Sequence, residues 1–382
     1  RLFHAMGFNV PQEWIGTLRG DQIRVDEKAR TWDEAGRLRK MTPADVEEVL
    51  KTCARLPDGR YRAVFSLLLP GRPRGFFQFQ GTRKDDPNDL IPHQHRRELR
   101  GLRLMSAWLN HFDIRVGNTL DTYVEEDGRK FLRHYLLDFG STLGSASFFP
   151  KVPRMGNSYL LDFEQMFGPL LTLGIQQPRW RERPTPSRHP AVGPFDSESF
   201  SPTGWRPVFP IASFLYMDDA DAFWAAKVVM SFSEEQIRAV VKAGQWSDPK
   251  AEEFVVRTLI ERQRKIGRYA FSRVNPLDRF KISGAGAGQV LEFEDLAVRY
   301  GFADAAATWY FTTFGSNEGR RNGAPLTSVR GTRIPLGSLL NSGSPAVLRI
   351  GAHRAEPGSG TKWVTVYLER EGPGFRLRGW EH

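Results

Sequence analysis

The strongest helical pattern in the chain lies in residues 94–110. Apolar side chains recur there at intervals of three and four residues, and four arginines fall mostly outside that stripe. This spacing predicts an amphipathic helix with one buried face. The stripe is formed by Leu99, Leu102, Met105, Trp108 and Leu109, and the arginines are Arg96, Arg97, Arg100 and Arg103.

Residues 122–132 carry two apolar arms on either side of Asp127-Gly128. An Asp-Gly pair between apolar runs is a strong hairpin signal, because both residues tolerate the positive φ of a two-residue turn. The pattern therefore predicts a long helix, a short loop and a β-hairpin, in that order, between residues 94 and 132.

Shorter patterns at the start of the chain predict a small, sheet-rich lobe. Residues 13–25 divide at Gly20 into two alternating arms, which predicts a hairpin. Residues 62–69 and 75–79 are rich in apolar and aromatic side chains and predict two further strands.

Two helix ends are marked in the same region. Residues 1–11 predict the second half of a helix that ends at Gly7. Thr42 and Pro43 predict the N-cap and the first position of another helix, in which the carboxylate of Asp45 reaches back. The buried face predicted for this second helix consists of Val46, Val49, Leu50 and Cys53.

Residues 145–211 hold eleven of the chain's 25 prolines and predict a long irregular loop. Helix signals return afterwards and continue to residue 275. The first of these helices begins near Asp218, Asp219 and Asp221, which we interpret as helix-capping acids rather than as metal ligands.

The composition changes again after residue 276, and 16 of the chain's 36 glycines lie from Gly284 onward. Strands are predicted at residues 347–350, 362–368 and 375–377, so this part forms a separate β-rich domain in our interpretation. Residues 283–288 imitate a glycine-rich phosphate loop, but no strand and helix flank them convincingly, which favours a linker.

The predicted fold class is α+β. The expected organisation is a partial N-terminal lobe in residues 1–92, a helical lobe in residues 93–275 and the β-rich domain in residues 276–382. With 40% hydrophobic residues, the 382-residue chain can bury more than one core. No window approaches eighteen uninterrupted apolar residues, so no membrane span is expected.

The charge and cysteine counts exclude some classes of site. Fifty-four basic against 44 acidic residues give a net charge of +10, which suits an anionic substrate, but no nucleic-acid motif accompanies it. A single cysteine, Cys53, excludes an internal disulfide and a cysteine metal cluster. The first residue is Arg1, so the sequence leaves the compartment and any signal peptide undecided.

The candidate chemistry lies between the helix and the hairpin, and just after the hairpin. His111 to Asn118 has the form H-x-D-x-x-x-x-N, and Asp138-Phe139-Gly140 follows twenty residues after Asn118. Phosphoryl transfer needs a carboxylate beside the attacking hydroxyl, together with an amide oxygen and a second carboxylate on the metal ions. Asp113, Asn118 and Asp138 provide those three groups in that order.

This motif pair resembles the catalytic and metal-binding loops of the protein-kinase-like superfamily. Together with the acidic run at residues 85–89, the arginine-rich start of the helix and the Ser141 to Gly144 turn, it is similar to an uncharacterised family of bacterial atypical kinase-like proteins. The resemblance covers residues 1 to about 275 and is sharpest between residues 85 and 145.

The resemblance implies a two-lobed kinase-like fold that uses ATP and Mg²⁺. Asp113 would orient or deprotonate the acceptor hydroxyl, Asn118 and Asp138 would bind Mg²⁺, and Gly140 would allow a sharp turn beside the metal. It also implies a strand lysine, a helix glutamate and a phosphate-covering loop, which we expect before Arg1. Lys84, Arg96 and Arg97 are possible contacts to phosphate or substrate.

Several functions remain open at this point. The preferred hypothesis is phosphorylation of an unknown hydroxyl acceptor, and nucleotidyl transfer on the same fold is the first alternative. A non-catalytic nucleotide-binding scaffold could instead recruit a protein partner through the β-rich domain. His93 and His95, spaced as H-x-H, could serve a metallohydrolase with His111, His134 or Asp113, although two further ligands at fixed spacing are missing nearby.

Overall fold

A computed structural model describes residues 1–147, 149–178, 181, 189, 191–316, 327–337, 346–354 and 362–382. It is a mixed α+β structure, with 30% helix, 26% strand, several small antiparallel sheets and a β-rich C-terminal region. The predicted α+β class is confirmed at this level. Among the described residues, no helix combines the length and the apolar composition needed to cross a membrane.

The helices are α1 (Leu2–Ala5), α2 (Pro43–Thr52), α3 (Arg97–Leu109), α4 (Phe163–Leu171), α5 (Ala212–Leu215), α6 (Asp219–Met230), α7 (Glu234–Lys242), α8 (Pro249–Arg273) and α9 (Leu296–Arg299). The strands of the N-terminal half are β1 (Glu13–Leu18), β2 (Arg30–Trp32), β3 (Leu38–Lys40), β4 (Tyr61–Ser66), β5 (Arg72–Pro73), β6 (Thr119–Glu126) and β7 (Arg129–Leu136). The strands of the C-terminal region are β8 (Leu277–Ser283), β9 (Val290–Asp295), β10 (Trp309–Ser316), β11 (Thr327–Val329), β12 (Arg333–Pro335), β13 (Ala346–His353), β14 (Trp363–Glu371) and β15 (Gly374–Glu381).

Contacts within the chain divide it into two compact units. The first unit comprises Arg1–Phe77, Gly117–Asp138 and Ala239–Glu252, and the second comprises Gln78–Val116, Phe139–Arg238 and Glu253–His382. The domain boundaries predicted after residues 92 and 275 stay predictions.

The hairpin predicted at residues 13–25 is wrong. Strand β1 pairs with β4, with Leu18 opposite Tyr61, and the residues after Arg19 form a short 3₁₀ turn at Gly20–Gln22. The alternating pattern identified β1 correctly, but it cannot reveal a partner strand that lies much later in the chain.

Residues 75–79 do not form the predicted strand. The short strand β5 lies just before them. Phe77 is buried, but its backbone N–H donates to the hydroxyl of Thr119 (2.8 Å), and the same hydroxyl donates to the Phe77 carbonyl (3.1 Å). A side chain therefore satisfies this backbone in place of a neighbouring strand.

Helix α2 begins as predicted, with a capping box between Thr42 and Asp45. Its predicted buried face is only partly correct, because Val46, Leu50 and Cys53 are half-buried and Val49 is 56% exposed. On a helical wheel Val49 lies at the edge of the stripe that the other three residues share, so it turns towards solvent.

The hairpin predicted around Asp127-Gly128 is confirmed. Strands β6 and β7 pair from Thr119 opposite Leu136 to Glu126 opposite Arg129. Both turn residues have positive φ, 49° at Asp127 and 73° at Gly128, as a two-residue turn between twisted strands requires.

In the second unit, α3 is the predicted amphipathic helix, and all five apolar residues of its stripe are buried. It packs closely against α6, because a Cβ added to Gly101 would lie 2.8 Å from the ring of Trp224. The indole N–H of Trp108 donates to the carbonyl of Leu259 in α8 (2.9 Å). Helix α3 thus lies in the core of this unit.

The C-terminal region contains a five-stranded antiparallel sheet in the order β11-β10-β13-β14-β15 and a three-stranded sheet in the order β12-β9-β8. The three strands predicted there are confirmed within β13, β14 and β15. The segment at residues 283–288 connects the paired strands β8 and β9, so it is a hairpin connection and not a phosphate loop between a strand and a helix.

The predicted irregular loop at residues 145–211 contains one helix, α4, and otherwise turns and extended chain in its described part. Phe148 and residues 179–180, 182–188 and 190 lie outside the described residues. Helix α6 starts as predicted with an acidic cap, since the Asp218 carboxylate accepts from the backbone N–H of Asp221 (2.8 Å).

Candidate functional site

Two buried cations cap the C-terminal end of α3, from which the candidate catalytic loop emerges. The guanidinium of Arg262 in α8 donates to the carbonyls of Ala107 (2.5 Å), Trp108 (2.9 Å) and Asp196 (2.8 Å). The ammonium of Lys151 donates to the carbonyls of Asn110 and Leu143. Positive charge at a helix C-terminus satisfies the carbonyls that the helix leaves unpaired and interacts favourably with its dipole.

Both cations are buried and are bonded to carbonyl oxygens rather than to carboxylates. Burial lowers the pKa of Arg262 to about 9, and the pKa of Lys151 lies well below its usual value because of burial and of the charge on Arg262. The Arg262 guanidinium also lies 3.7 Å from the centre of the Phe200 ring and 4.8 Å from that of Phe195. Aromatic faces compensate part of the lost hydration.

A cavity of about 40 Å³ adjoins these groups and is lined by residues that include Asn110, Lys151, Trp205 and Arg262. Cavities that bind small molecules are commonly about 300–1,000 Å³, whereas a single water needs roughly 10–15 Å³. The cavity therefore suits a few waters and is too small for a nucleotide.

The chain leaves α3 through Asn110, which adopts the left-handed conformation (φ 51°, ψ 38°) that often ends a helix. His111 follows and is buried, with its ring 5.6 Å from that of Phe139. Burial, together with the charge of Lys151, lowers the pKa of His111 to about 3. The imidazole is therefore neutral at physiological pH.

Asp113 lies between the buried side chains of Phe112 and Ile114. Phe112 packs beneath the ammonium of Lys151, which is 4.8 Å from the ring centre. The Asp113 carboxylate is about 20% exposed and forms an ion pair with Arg115 (3.1 Å). The buried neighbours fix the loop, and the carboxylate keeps access to solvent.

The structure brings together the two predicted metal ligands of the first unit. Asn118 ends a 3₁₀ turn at Val116–Asn118, and its carbonyl accepts from the backbone N–H of Leu137 (2.9 Å). Asp138 is the next residue after Leu137, so both ligands lie at the open end of the β6–β7 hairpin, opposite its turn. The left-handed conformation needed for the sharp turn falls on Asp138 itself (φ 53°).

The donor chemistry of this pair fits Mg²⁺. An amide oxygen and a carboxylate are hard ligands, and nucleotide-bound Mg²⁺ is commonly held by one or two carboxylates together with phosphates and waters. Asn118 is buried and Asp138 is exposed. Within the described residues, no three His, Cys, Asp or Glu side chains are grouped so that they could hold a metal ion.

The structure places Asp113 and Gly140 in the second unit, and Asn118 and Asp138 in the first. The carbonyl of Gly140 accepts from the backbone N–H of Ser147 (3.1 Å), which ties this glycine to the start of the long loop.

The candidate phosphate contacts have other partners. Arg96 pairs with Asp89 (2.9 Å), and Arg97 lies 3.7 Å from Asp221. Both arginines therefore lie within ion-pair distance of a carboxylate. Lys84 is exposed to solvent.

His93 and His95 do not form the predicted alternative metal site in this arrangement. Both ring nitrogens of His93 are engaged, one with the carbonyl of Gln78 (2.5 Å) and one with the carboxylate of Asp89 (2.7 Å). The ring of His95 packs edge-on against that of Tyr216 at 5.3 Å. These contacts give both histidines a structural role at the entry to α3.

Sequence reasoning missed the two capping cations. Arg262 lies three residues after Leu259 and four before Ile266, both buried, so it is an arginine within an apolar stripe. That position was the available signal, because a charged residue on a buried helix face needs a dedicated partner. Lys151 lies in the irregular loop and gave no such signal.

Comparison of the chain with protein-family models, with curated proteins and with solved structures gives no match. Functional inference for this chain therefore depends on its own residues.

Replacing Arg262 by methionine should destabilise the protein by about 3 kcal/mol or more, because the carbonyls of Trp108 and Asp196 would lose this donor and that of Ala107 would keep only the backbone N–H of Asn110. Chemical denaturation measures the change in the free energy of unfolding. The matched control is Arg264→Met on the same helix, whose side chain is exposed and packs on Phe302. A loss for Arg262→Met no larger than for the control would contradict the capping role.

Stability should fall as the pH drops below the ordinary histidine pKa of 6.5, because the folded protein holds His111 neutral down to about pH 3. The unfolded chain binds this proton first, so the His111 contribution is complete above pH 6.5 and is lost towards pH 3, by up to about 1.4 kcal/mol per pH unit. Denaturation between pH 7 and pH 5 should show a shallower pH dependence for His111→Gln. The exposed His4→Gln should follow the wild type, and parallel curves for all three proteins would refute the assignment.

Proposed function

We propose that this chain carries the acceptor and metal-binding residues of an ATP- and Mg²⁺-dependent phosphotransferase with a two-lobed, protein-kinase-like fold. The support begins with the order of the elements. Helix α3 leads to the loop with Asp113, the β6–β7 hairpin follows Asn118, and Asp138-Phe139-Gly140 comes directly after the hairpin. A kinase-like site has its catalytic loop, metal-binding hairpin and metal-binding aspartate in this order.

One observation carries the proposal. The hydrogen bond from the backbone N–H of Leu137 to the carbonyl of Asn118 closes the open end of the hairpin and brings the backbones of Asn118 and Asp138 close together. If Asn118 and Asp138 only capped turns, they would not need to lie together at one end of a hairpin. The left-handed φ of 53° at Asp138 is an uncommon backbone state for a residue other than glycine.

Each residue then has a defined task. Asp113, paired with Arg115, is an ionised carboxylate on a loop that buried neighbours fix, and it accepts or orients the proton of the attacking hydroxyl. Asn118 and Asp138 hold Mg²⁺, which when bound neutralises charge on the phosphates. Neutral His111 supports the loop from inside and takes no part in proton transfer.

Nucleotidyl transfer would use the same metal ligands with the nucleotide held differently, and a scaffold would bind nucleotide without turnover. One experiment separates these functions. The protein is given Mg²⁺ and ATP labelled at either the γ- or the α-phosphate, and the label that reaches protein hydroxyls, added alcohols or water is measured. Phosphotransfer predicts movement of the γ-label.

In this assay Asp138→Ala should reduce γ-transfer by roughly 10²–10³-fold, as for loss of a principal electrostatic group in a transition state. Asp113→Asn, which preserves shape, should reduce it by roughly 10²–10⁴-fold. Asp127→Ala is the matched control, because Asp127 is another left-handed aspartate on the same hairpin, at its far end. It should keep full activity.

Three outcomes would contradict phosphotransfer. Movement of the α-label would establish nucleotidylation, and ATP binding without movement of either label would establish a scaffold. Absence of any Mg²⁺-dependent ATP binding would refute the whole proposal.

A further inference from the structure

An exposed apolar segment follows the candidate site within the long loop of the second unit. It runs from Leu160 to Ile175 and includes α4. Eight of its large apolar side chains are exposed, from 51% at Leu160 to 95% at Leu173. The exposed residues that matter most are Phe163, Phe167, Leu170, Leu171, Leu173 and Ile175. A large exposed apolar patch commonly marks a site that binds a ligand, a protein or a membrane.

Helix α4 exposes its apolar face, whereas an ordinary surface helix buries that face. Its four exposed apolar residues occupy positions i, i+4, i+7 and i+8 from Phe163, which is one helical face, and the rings of Phe163 and Phe167 stack at 6.2 Å. The polar Gln165 is instead half-buried, and its amide donates to the carboxylate of Asp162, the N-cap of the helix (2.8 Å). The apolar face of this amphipathic helix therefore points to solvent.

Three arginines lie beside the start of this segment and form an arginine cluster: Arg103, Arg154 and Arg206. Arg154 donates to the carbonyls of Tyr159 and Leu160, and the Arg206 guanidinium lies 5.9 Å from the ring centre of Tyr159. Arg103 and Arg206 both donate to the carbonyl of Thr203. Burial and the neighbouring charge of Arg206 lower the pKa of Arg103.

The positive charge of the arginine cluster is uncompensated. Its hydrogen bonds go to carbonyl oxygens, and no carboxylate in the described part of the chain forms an ion pair with any of the three residues. The whole chain adds to this charge, with a net +10. An anionic partner would therefore match the electrostatics beside the apolar face.

We propose that the apolar segment and the arginine cluster dock together on an anionic phospholipid surface. A helix of nine residues is about 14 Å long, too short to cross a bilayer but suited to lie in the plane of its interface with the apolar face down. A lipid surface accepts exposed Phe and Leu side chains without a matching shape. Its phosphate and carboxylate head groups provide the anions that the arginines lack.

Vesicle co-sedimentation tests this proposal independently of any catalysis. The protein is mixed with vesicles of phosphatidylcholine with or without phosphatidylserine, at low and at high salt. We expect binding to the phosphatidylserine vesicles, weakened by salt. The double variant Leu170→Glu/Leu171→Glu should lose on the order of tenfold or more in partitioning, because two apolar side chains no longer enter the interface. Arg206→Gln should bind more weakly and with a smaller salt dependence.

The matched control is Leu68→Glu/Leu90→Glu, two leucines that are 91% and 80% exposed outside this segment, and it should bind like the wild type. Both double variants should keep the thermal unfolding midpoint, since all four side chains are exposed. Wild-type protein that remains in the supernatant with every vesicle would overturn the proposal, as would equal binding by the Leu170→Glu/Leu171→Glu variant. Concentration-dependent dimerisation in sedimentation velocity, lost in that variant and without vesicle binding, would show that a second copy covers the face instead.

Discussion

The second unit depends on how the carbonyl oxygens at the C-terminal end of α3 obtain hydrogen-bond donors. A helix that ends inside a protein leaves carbonyl oxygens without donors, and burying them unpaired would cost about 1–3 kcal/mol each. Arg262 supplies the donor to Trp108 and a second donor to Ala107, which also accepts from the backbone N–H of Asn110. Lys151 supplies the donor to Asn110. Burying two like charges near each other is itself costly, and burial lowers the pKa of both side chains.

Several other features follow from this capping. Asn110 takes the left-handed conformation and turns the chain out of the helix, and its amide oxygen accepts from the indole N–H of Trp205 (3.0 Å). Burial, helped by the positive charge of Lys151, lowers the pKa of His111, so the imidazole is neutral and is buried without a charge of its own. Asp113 then emerges from a loop whose neighbouring side chains are buried. In the first unit the hairpin fixes Asn118 and Asp138 by ordinary strand pairing.

The sequence was most informative where structure is decided by neighbouring residues. The stripe of α3 and the Asp127-Gly128 turn follow from helical periodicity and from the backbone freedom of two residues, and both are confirmed. The pairing of β1 with β4 was beyond such reasoning, because it depends on a contact between segments more than forty residues apart. The first alternating arm was correctly recognised as a strand, but the second arm is not a strand, and the partner of the first was wrongly assigned to it.

The candidate site shows the same division. The order of Asp113, Asn118 and Asp138 is visible in the sequence, and so is the hairpin that brings Asn118 to Asp138. The capping by Arg262 was not predicted, because helical periodicity marks Arg262 as a charged residue within an apolar stripe but does not show which carbonyls it contacts. The outward apolar face of α4 was not foreseen either. Periodicity shows that a helix has an apolar face, but only the tertiary structure shows which way that face points.

The most direct test of the central claim is to detect a metal ion at Asn118 and Asp138. Mn²⁺ takes the same oxygen ligands as Mg²⁺ and is observed by electron paramagnetic resonance, so a titration in the presence of ATP separates protein-bound metal from the free Mn²⁺–ATP complex. The structure predicts protein-bound Mn²⁺ that is lost in Asn118→Ala and in Asp138→Ala but kept in Asp127→Ala. A wild-type spectrum identical to that of free Mn²⁺–ATP, or equal binding by all three variants, would contradict the claim that this hairpin holds the metal of a phosphotransferase.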